Sequence, residues 1–305
     1  MIQLSVIIPC YNCAEYIGTQ LEAFAHQEYS QPWEIIIADN GSTDNTLEIV
    51  RQYQQKMPHL RIVDASGGKK CAAYPRNIGA QVAKGEALAF CDADDEVFPG
   101  WVAAMGEALS KYDFVAGKSD YTKLNLPWVV AACAYREGNG VNDNLYYPFA
   151  GGNNIGIKRH LFYRVGGFDE DIRIIDDVDF CWRVQAQCGV KLIEVPGAKI
   201  NFRFRDTIKE MYQRWYGIAE NNILLLRRHG LKYAWKNLFR DFVMLVARLL
   251  IKVRSRVSFA RWMMDLGWFL GTVHGMWKYR HVRSQVMARK KLPHQLVASH
   301  VMTDR

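Results

Sequence analysis

The chain has 305 residues, half of them hydrophobic and 12% aromatic, which suits one large core or two modest ones and excludes a disordered chain. Its net charge of +8 is unevenly spread: residues 1–201 carry 18 Lys/Arg against 25 Asp/Glu, and residues 202–305 carry 21 against 6. Seven cysteines, an odd number at irregular spacings, exclude a disulfide framework and fit a reducing cytosol.

The opening "MIQLSVIIPCYN" has neither a cationic n-region nor a cleavage site, so no secretory signal is read there. "LSVIIP" is a buried strand and "AEYIGTQLEAFAHQ" has helical spacing. "WEIIIADN" is the next strand, and "STDNTLEIVRQYQQK" is a helix with a Ser/Thr/Asp start. "LRIVDAS", "RNIGAQVAKG", "EALAFCDAD", "GWVAAMGEALSK" and "DFVAGK" continue the alternation through residue 118. This pattern predicts an α/β fold with a mostly parallel, Rossmann-like sheet flanked by helices. Ligands of such sheets bind beyond the carboxyl ends of the strands. Polar clusters recur there: "PCYN", "ADNGSTD" and "DADDE". Three clusters on one rim describe one site. Cys10 and Cys13 form a C-x-x-C without a second pair, at a strand-to-loop transition, which speaks against zinc or redox use.

"AFCDADDEVFPGW" sets Asp92, Asp94, Asp95 and Glu96 within five positions, and such a cluster needs a cation or water among its charges. An EF-hand is excluded, because its Gly position holds Val97 and its Glu position holds Ala103. "GGKKCA" lacks Walker A spacing, and "GGNNIG" fails G-x-G-x-x-G at its third place. A D-x-D pair suits Mg²⁺ or Mn²⁺, which takes one or two carboxylates and completes its shell with phosphates and water. From the residues alone, a solvated acidic turn and a metal site both stand.

Four stretches in this order, "SVIIPCYNCAEYI", "EIIIADNGSTDNT", "RNIGAQVAKGEALAFCDADDE" and "GGNNIGIKRHLFYRVGGFDEDIRIIDDVDFCWR", resemble family-2 glycosyltransferases of the GT-A fold over roughly residues 3–205. The resemblance implies inverting transfer of a sugar from a nucleotide sugar, most simply a UDP-sugar, to an acceptor hydroxyl, with a divalent cation as cofactor. It implies that Pro9, Tyr11 and Asn12 meet the nucleotide and that Asp39 accepts from the base. Arg76 would stand near ribose or diphosphate, Asp92 near the ribose, and Asp94 on the metal. In "IIDDVDFCWR", Asp177 matches the catalytic base; Asp176 replaces the usual Glu and would orient the acceptor or Asp177. Gly151, Gly152 and Asn153 match the acceptor-side turn. The implied organisation is a catalytic domain at 1–205, with a nucleotide-sugar half at 1–118 and an acceptor half at 119–205, followed by a basic, aromatic helical region at 206–305.

Two departures stand out. The His that often follows the "P-x-A" stretch is missing near Asn201 and Phe202, which leaves the metal's remaining protein ligand open. "MYQRW" has Met211 where processive members carry Gln, and no run of 18 apolar residues could build a pore, so single or short-range addition is expected. A catalytically inactive nucleotide-sugar-binding module is the alternative, disfavoured by the intact set Asp39, Asp92, Asp94 and Asp177. Nucleotidyl transfer is another, disfavoured because its Gly-rich activating loop is absent.

The tail is not explained by a transferase core. "NLFRDFVMLVARLLIKV" has a wide apolar face with Asp241, Arg248 and Lys252 on one narrow stripe, and Gly267, Gly271 and Gly275 follow at four-residue spacing. Both apolar runs are short for a bilayer span. With Trp235, Trp262, Trp268 and Trp277 among basic residues, they predict a hairpin lying on a membrane surface, the alternative being core packing. The expected partners are a nucleotide sugar, a saccharide or lipid-linked acceptor and a membrane surface, at the inner face of the cell membrane. Nucleic acid is not expected, given the acidic rim.

Overall fold

The computed structural model describes residues 2–142 and 146–284, without the side chains of 251 and 252. The described residues divide into two compact units, those within 2–124 and 138–203 and those within 125–137 and 204–284.

In chain order the first unit opens with β1 (Leu4–Cys10), α1 (Ile17–Ala25), β2 (Trp33–Asp39), α2 (Thr46–Lys56) and β3 (Leu60–Asp64). It continues with α3 (Ala73–Val82), β4 (Ala87–Cys91), β5 (Glu96–Val97), α4 (Trp101–Lys111) and β6 (Phe114–Asp120). Helix α5 (Pro127–Cys133) belongs to the second unit. The chain then returns to the first for β7 (Asn154–Lys158), α6 (Arg159–Arg164), α7 (Asp176–Cys188) and β8 (Ile193–Asn201).

These strands form one mixed sheet in the order β3-β2-β1-β4-β7-β6-β8-β5. The first four run parallel, β7 runs antiparallel to both its neighbours, β6 and β8 are parallel, and β5 is antiparallel to β8. Alternate residues of each strand enter two cores, one on each face of the sheet. Leu4, Val6, Ile8, Ile35 and Ile37 join Phe24 and Trp101 on one side. Ile7, Ile36, Leu88 and Phe90 join Phe162, Phe168 and Phe180 on the other. Burial on both faces explains why the strands read as unbroken apolar runs. Helix α3 sits close on the sheet because Gly79 lacks a side chain: a Cβ there would stand 2.5 Å from Ile7 Cγ2.

The second unit contains α5, α8 (Ile208–Arg228), α9 (Trp235–Lys252) and α10 (Arg256–Lys278). The glycine stripe of α10 lies against α8. Cβ atoms on Gly267, Gly271 and Gly275 would come within 2.6, 2.2 and 2.7 Å of the carbonyl oxygens of Tyr212, Tyr216 and Glu220. Four-residue spacing therefore serves a close helix pair within this unit. Among the described residues, no helix is long and apolar enough to cross a membrane.

Candidate active site

The parallel strands β1 and β2 end side by side, with Cys10 in register with Asp39. Beyond β1 the chain turns sharply, and Asn12 adopts a left-handed φ of +48°, a conformation Asn tolerates better than most residues. Its backbone N–H donates to Ser42 Oγ at 2.9 Å, and its Oδ1 accepts from the Thr43 N–H at 2.8 Å. Asp39 is buried, and its carboxylate accepts from the Gly41 and Ser42 amides, each at 3.1 Å. An ionised carboxylate has about four acceptor sites, so capacity remains for a further donor. Tyr11 is exposed, with Lys70 Nζ 5.0 Å from its ring centre, and Pro9 is half-buried in β1. The Cys10 and Cys13 sulfurs lie 3.2 Å apart in the core; hydrogen bonding to its neighbour raises the Cys10 thiol and lowers Cys13.

The four clustered carboxylates occupy four different environments. Asp92, just past β4, accepts from Arg76 Nη2 at 2.7 Å, while its backbone carbonyl accepts from buried Gln20 Nε2 at 2.9 Å. Asp94 is half-buried, and its carbonyl accepts from Arg203 Nε at 3.0 Å. Asp95 is buried, accepting from Asn153 Nδ2 at 2.6 Å and from the Arg203 N–H at 2.9 Å. Burial, then the charges of Asp94 and Asp92, push its carboxyl well above the ordinary range. Glu96 pairs with Lys123.

Arg76, on α3, is only 4% exposed and joins two parts of the rim. Besides Asp92, it donates from Nη1 to Asp176 at 3.1 Å, across 100 residues of sequence. Burial disfavours its charge, but Asp92, Asp176 and Asp177 more than offset this and raise its pKa. Gly152 permits the approach: a Cβ there would stand 3.0 Å from Arg76 Nη1. Asp176 is itself buried, and burial raises its pKa to about 7 against the opposing pull of Arg76.

Asp177 is half-buried beside it in the first turn of α7, accepting from the Gly152 N–H at 2.9 Å and the Val178 N–H at 2.8 Å. Carboxylates at a helix N-terminus are favoured by the helix dipole. Ile175, immediately before this helix, has φ of +65°, a strained conformation for a β-branched residue. Asp179 pairs with Arg183 one turn on, at 2.6 Å.

The rim thus joins Asp92, Arg76 and Asp176 in one ion-paired group, sets the Asp177–Gly152 hydrogen bond next to it in sequence, and links Asn12 with Asp39 through Ser42 on the adjoining loops. Asn153 is buried and donates from Nδ2 to Asp95, while Gly151 is exposed. Sequence reasoning missed Gln20 and Arg203, and it named Asp95 in the acidic cluster without giving it a role. Arg203 follows the stretch where the family's His was sought, and its guanidinium also lies 4.7 Å from the Tyr16 ring centre. A polar residue just past β8 was the only local signal for it.

Among the described residues, no group of three His, Cys, Asp or Glu could hold a metal by itself. The donor set still fits a Mg²⁺-like ion, since the hard carboxylate of half-buried Asp94 would supply a ligand and phosphates and water the others.

Comparison with known proteins bears on this arrangement. The model of glycosyl transferase family 2 matches residues 5–166, and that of glycosyl transferase family group 2 matches residues 131–277. The uncharacterised glycosyltransferase YibD of Escherichia coli is 45% identical over 98 residues, covering 32% of this chain and 27% of YibD. The poly(ribitol-phosphate) β-N-acetylglucosaminyltransferase TarS of Staphylococcus aureus is 35% identical over 98 residues, covering 32% of this chain and 17% of TarS. These matches thus span less than a third of either relative. In fold, mannosyltransferase PcManGT of Pyrobaculum calidifontis, solved with GDP-Man and Mn²⁺, superposes with a TM-score of 0.64 at 18% identity, covering 90% of this chain and 87% of that one. A TarS fragment (residues 1–349) solved with UDP gives 0.51 at 20% identity, covering 92% of each chain.

Proposed function

The chain belongs to glycosyl transferase family 2 and is a glycosyltransferase with the GT-A fold; from that premise we propose that it moves a sugar, with inversion, from a UDP-sugar to a hydroxyl of a saccharide or lipid-linked acceptor in cell-surface polysaccharide or glycolipid assembly. One observation carries the reading: a half-exposed carboxylate, Asp177, stands at a helix N-terminus beside a buried arginine that also holds the D-x-D loop. Such an arrangement would hold a donor at the D-x-D loop in fixed relation to a base at Asp177, which is what an in-line displacement needs.

In the proposed reaction, Asp177 takes the acceptor's hydroxyl proton as its oxygen bonds to the anomeric carbon. The bond from that carbon to the diphosphate oxygen breaks, and its electron pair leaves with UDP. Pro9, Tyr11, Asn12 and Asp39 bind the nucleotide, Asp92 the ribose, and Gly151 with Gly152 the acceptor. Arg76, held by Asp92 and Asp176, stands near the ribose or diphosphate, and Asp176 orients the acceptor or Asp177. A divalent cation, Mn²⁺ or Mg²⁺, held by Asp94 would neutralise the charge building on the diphosphate. PcManGT was solved with GDP-Man and Mn²⁺ and TarS with UDP, which supports a nucleotide-sugar donor and a cation here. Single or short-range addition at the inner face of the cell membrane, with the C-terminal helices as the contact, completes the reading.

The test is Asp177→Asn, assayed with a panel of UDP-sugars. Asn keeps the shape but takes no proton, so turnover should fall about 10²–10⁴-fold with UDP affinity unchanged. More than half of wild-type turnover would move the base elsewhere, with Asp176 the next residue to examine.

A further inference from the structure

Helix α9 is built inside out. A surface helix of a soluble domain turns its apolar stripe inward and its charges to water. Here Trp235, Phe239 and Leu250 are 72%, 71% and 78% exposed, and Phe242, Val246 and Leu249 are exposed with them. At about 100° per residue these positions fall on one arc of roughly 100°. The charged stripe points the other way. Asp241 accepts from the Tyr233 hydroxyl at 2.7 Å, and Arg248 donates to Asp265 of α10 at 2.6 Å. Leu245, on the inward side, is buried, and its carbonyl accepts from Trp262 Nε1 at 3.0 Å. The side chain of Lys252 lies outside the described residues.

A continuous apolar face of this kind is rarely left to water. Lys236 and Arg240, both exposed, border it along the same side of the arc. The region they belong to carries 21 Lys/Arg against 6 Asp/Glu over residues 202–305. A symmetric contact with a second copy would bury the apolar arc but would bring those cations towards their own equivalents, a like-charge juxtaposition that costs affinity. An anionic surface removes that conflict. Tryptophan at the end of the arc also favours the headgroup level of a bilayer.

We propose that the outward face of α9 docks on an anionic lipid bilayer, the helix lying along the surface with its apolar arc among the headgroups and Lys236 and Arg240 beside their phosphates. This deepens the membrane part of the reading above and does not depend on the transfer chemistry. It assigns contact to α9 alone: the glycine stripe of α10 packs on α8, Trp262 is engaged with α9, and only Trp277 of that helix's tryptophans is largely exposed.

The experiment is flotation of the full chain with vesicles of phosphatidylcholine, alone or mixed with phosphatidylglycerol, with UDP affinity and melting temperature followed in parallel. Wild type should float with the mixed vesicles, more weakly in high salt and more weakly still with the neutral ones. The double variant Phe239→Ser/Leu250→Ser should lose about tenfold or more of that binding, with melting temperature and UDP affinity unchanged. Lys236→Glu/Arg240→Glu should erase most of the preference for anionic vesicles. Wild type staying in the soluble fraction with both vesicle types, or the apolar double variant floating as well as wild type, overturns the proposal. A lipid-free dimer by light scattering that the same variant dissociates also overturns it and assigns the face to a second copy. UDP affinity reads the transferase assignment separately, so either can fail alone.

Discussion

Along β1, Leu4, Val6 and Ile8 enter one core and Ile7 the other, while charged groups collect where the parallel strands end. Along α9, Phe239 and Leu250 face outward, while Asp241 and Arg248 are held inside by Tyr233 and Asp265. The strand is buried on both faces and meets the outside only at its polar end, whereas the helix has two unlike faces and turns the apolar one outward. The difference teaches what each exterior is shaped to meet. At the rim, desolvated carboxylates are balanced by an arginine and backbone amides, a setting suited to a charged small molecule in water. On α9 the inner polar groups are satisfied and the outer face is left hydrocarbon, a setting suited to a surface that is not water.

The largest effect on the rim side of this comparison should come from Arg76→Met. Removing a buried cation strands Asp92 and Asp176, and breaking such a pair costs about 3–5 kcal/mol. Chemical denaturation measures it; a loss under 1 kcal/mol would mean that the arginine does not organise the rim.

Asp94→Ala should lower transfer by roughly two orders of magnitude, because a cation clamp on a departing diphosphate is worth several kcal/mol. Calorimetry gives an independent readout, since Mn²⁺-dependent UDP affinity should fall with it. Unchanged affinity would detach Asp94 from the metal.

A finer effect concerns pH. The Asp176 carboxyl titrates at about 7 in the folded protein, above the ordinary carboxylate range, so the folded state holds its proton more tightly than the unfolded chain. Its contribution to stability is therefore fully present below the unfolded pKa and is lost as pH rises through about 7. The stability difference between wild type and Asp176→Asn should widen in favour of wild type as pH falls from 8 to 5. The slope is about 1.4 kcal/mol per unit at most. Parallel pH profiles would show that burial does not hold the proton there.

The smallest effect belongs to α9. Leu250→Ser, on the exposed arc, should change stability by no more than about 0.5 kcal/mol. Leu245→Ala, on the buried side, should cost about 2–5 kcal/mol. Equal costs would mean that the apolar arc is packed after all, and the contrast between the two regions would disappear.

Strand periodicity and the acidic run after β4 were legible because each is local: hydrophobic alternation and neighbouring carboxylates are written in consecutive residues, whereas Asp176 and Asp177 stood out only through the family resemblance. The bridge from Arg76 to Asp176 was not, since its partners lie 100 residues apart and the sequence states no pairing. Arg203, and the pairing of Asn153 with Asp95, were missed for the same reason. Their partners, the Asp94 carbonyl and the Asp95 carboxylate, are chosen by how the ends of β8 and β7 meet the loop after β4. The antiparallel insertion of β7 into an otherwise parallel half-sheet follows from chain topology, which a short apolar run such as "NIGIK" does not encode.

By itself the sequence determined that α9 has two unlike faces, because 3.6-residue periodicity sorts apolar from charged side chains whatever lies beyond them. Which face turns inward was decided only by tertiary structure. Asp265 and Tyr233 offer the charged stripe its hydrogen bonds inside the second unit, and a buried polar group with a partner costs far less than one without. The sequence likewise determined which carboxylates crowd the turn after β4. Their division into an arginine-paired Asp92, a half-buried Asp94 and a buried Asp95 with a raised pKa arose from side chains that folding brings from distant segments, because a carboxylate's ionisation depends on its partners and its distance from water.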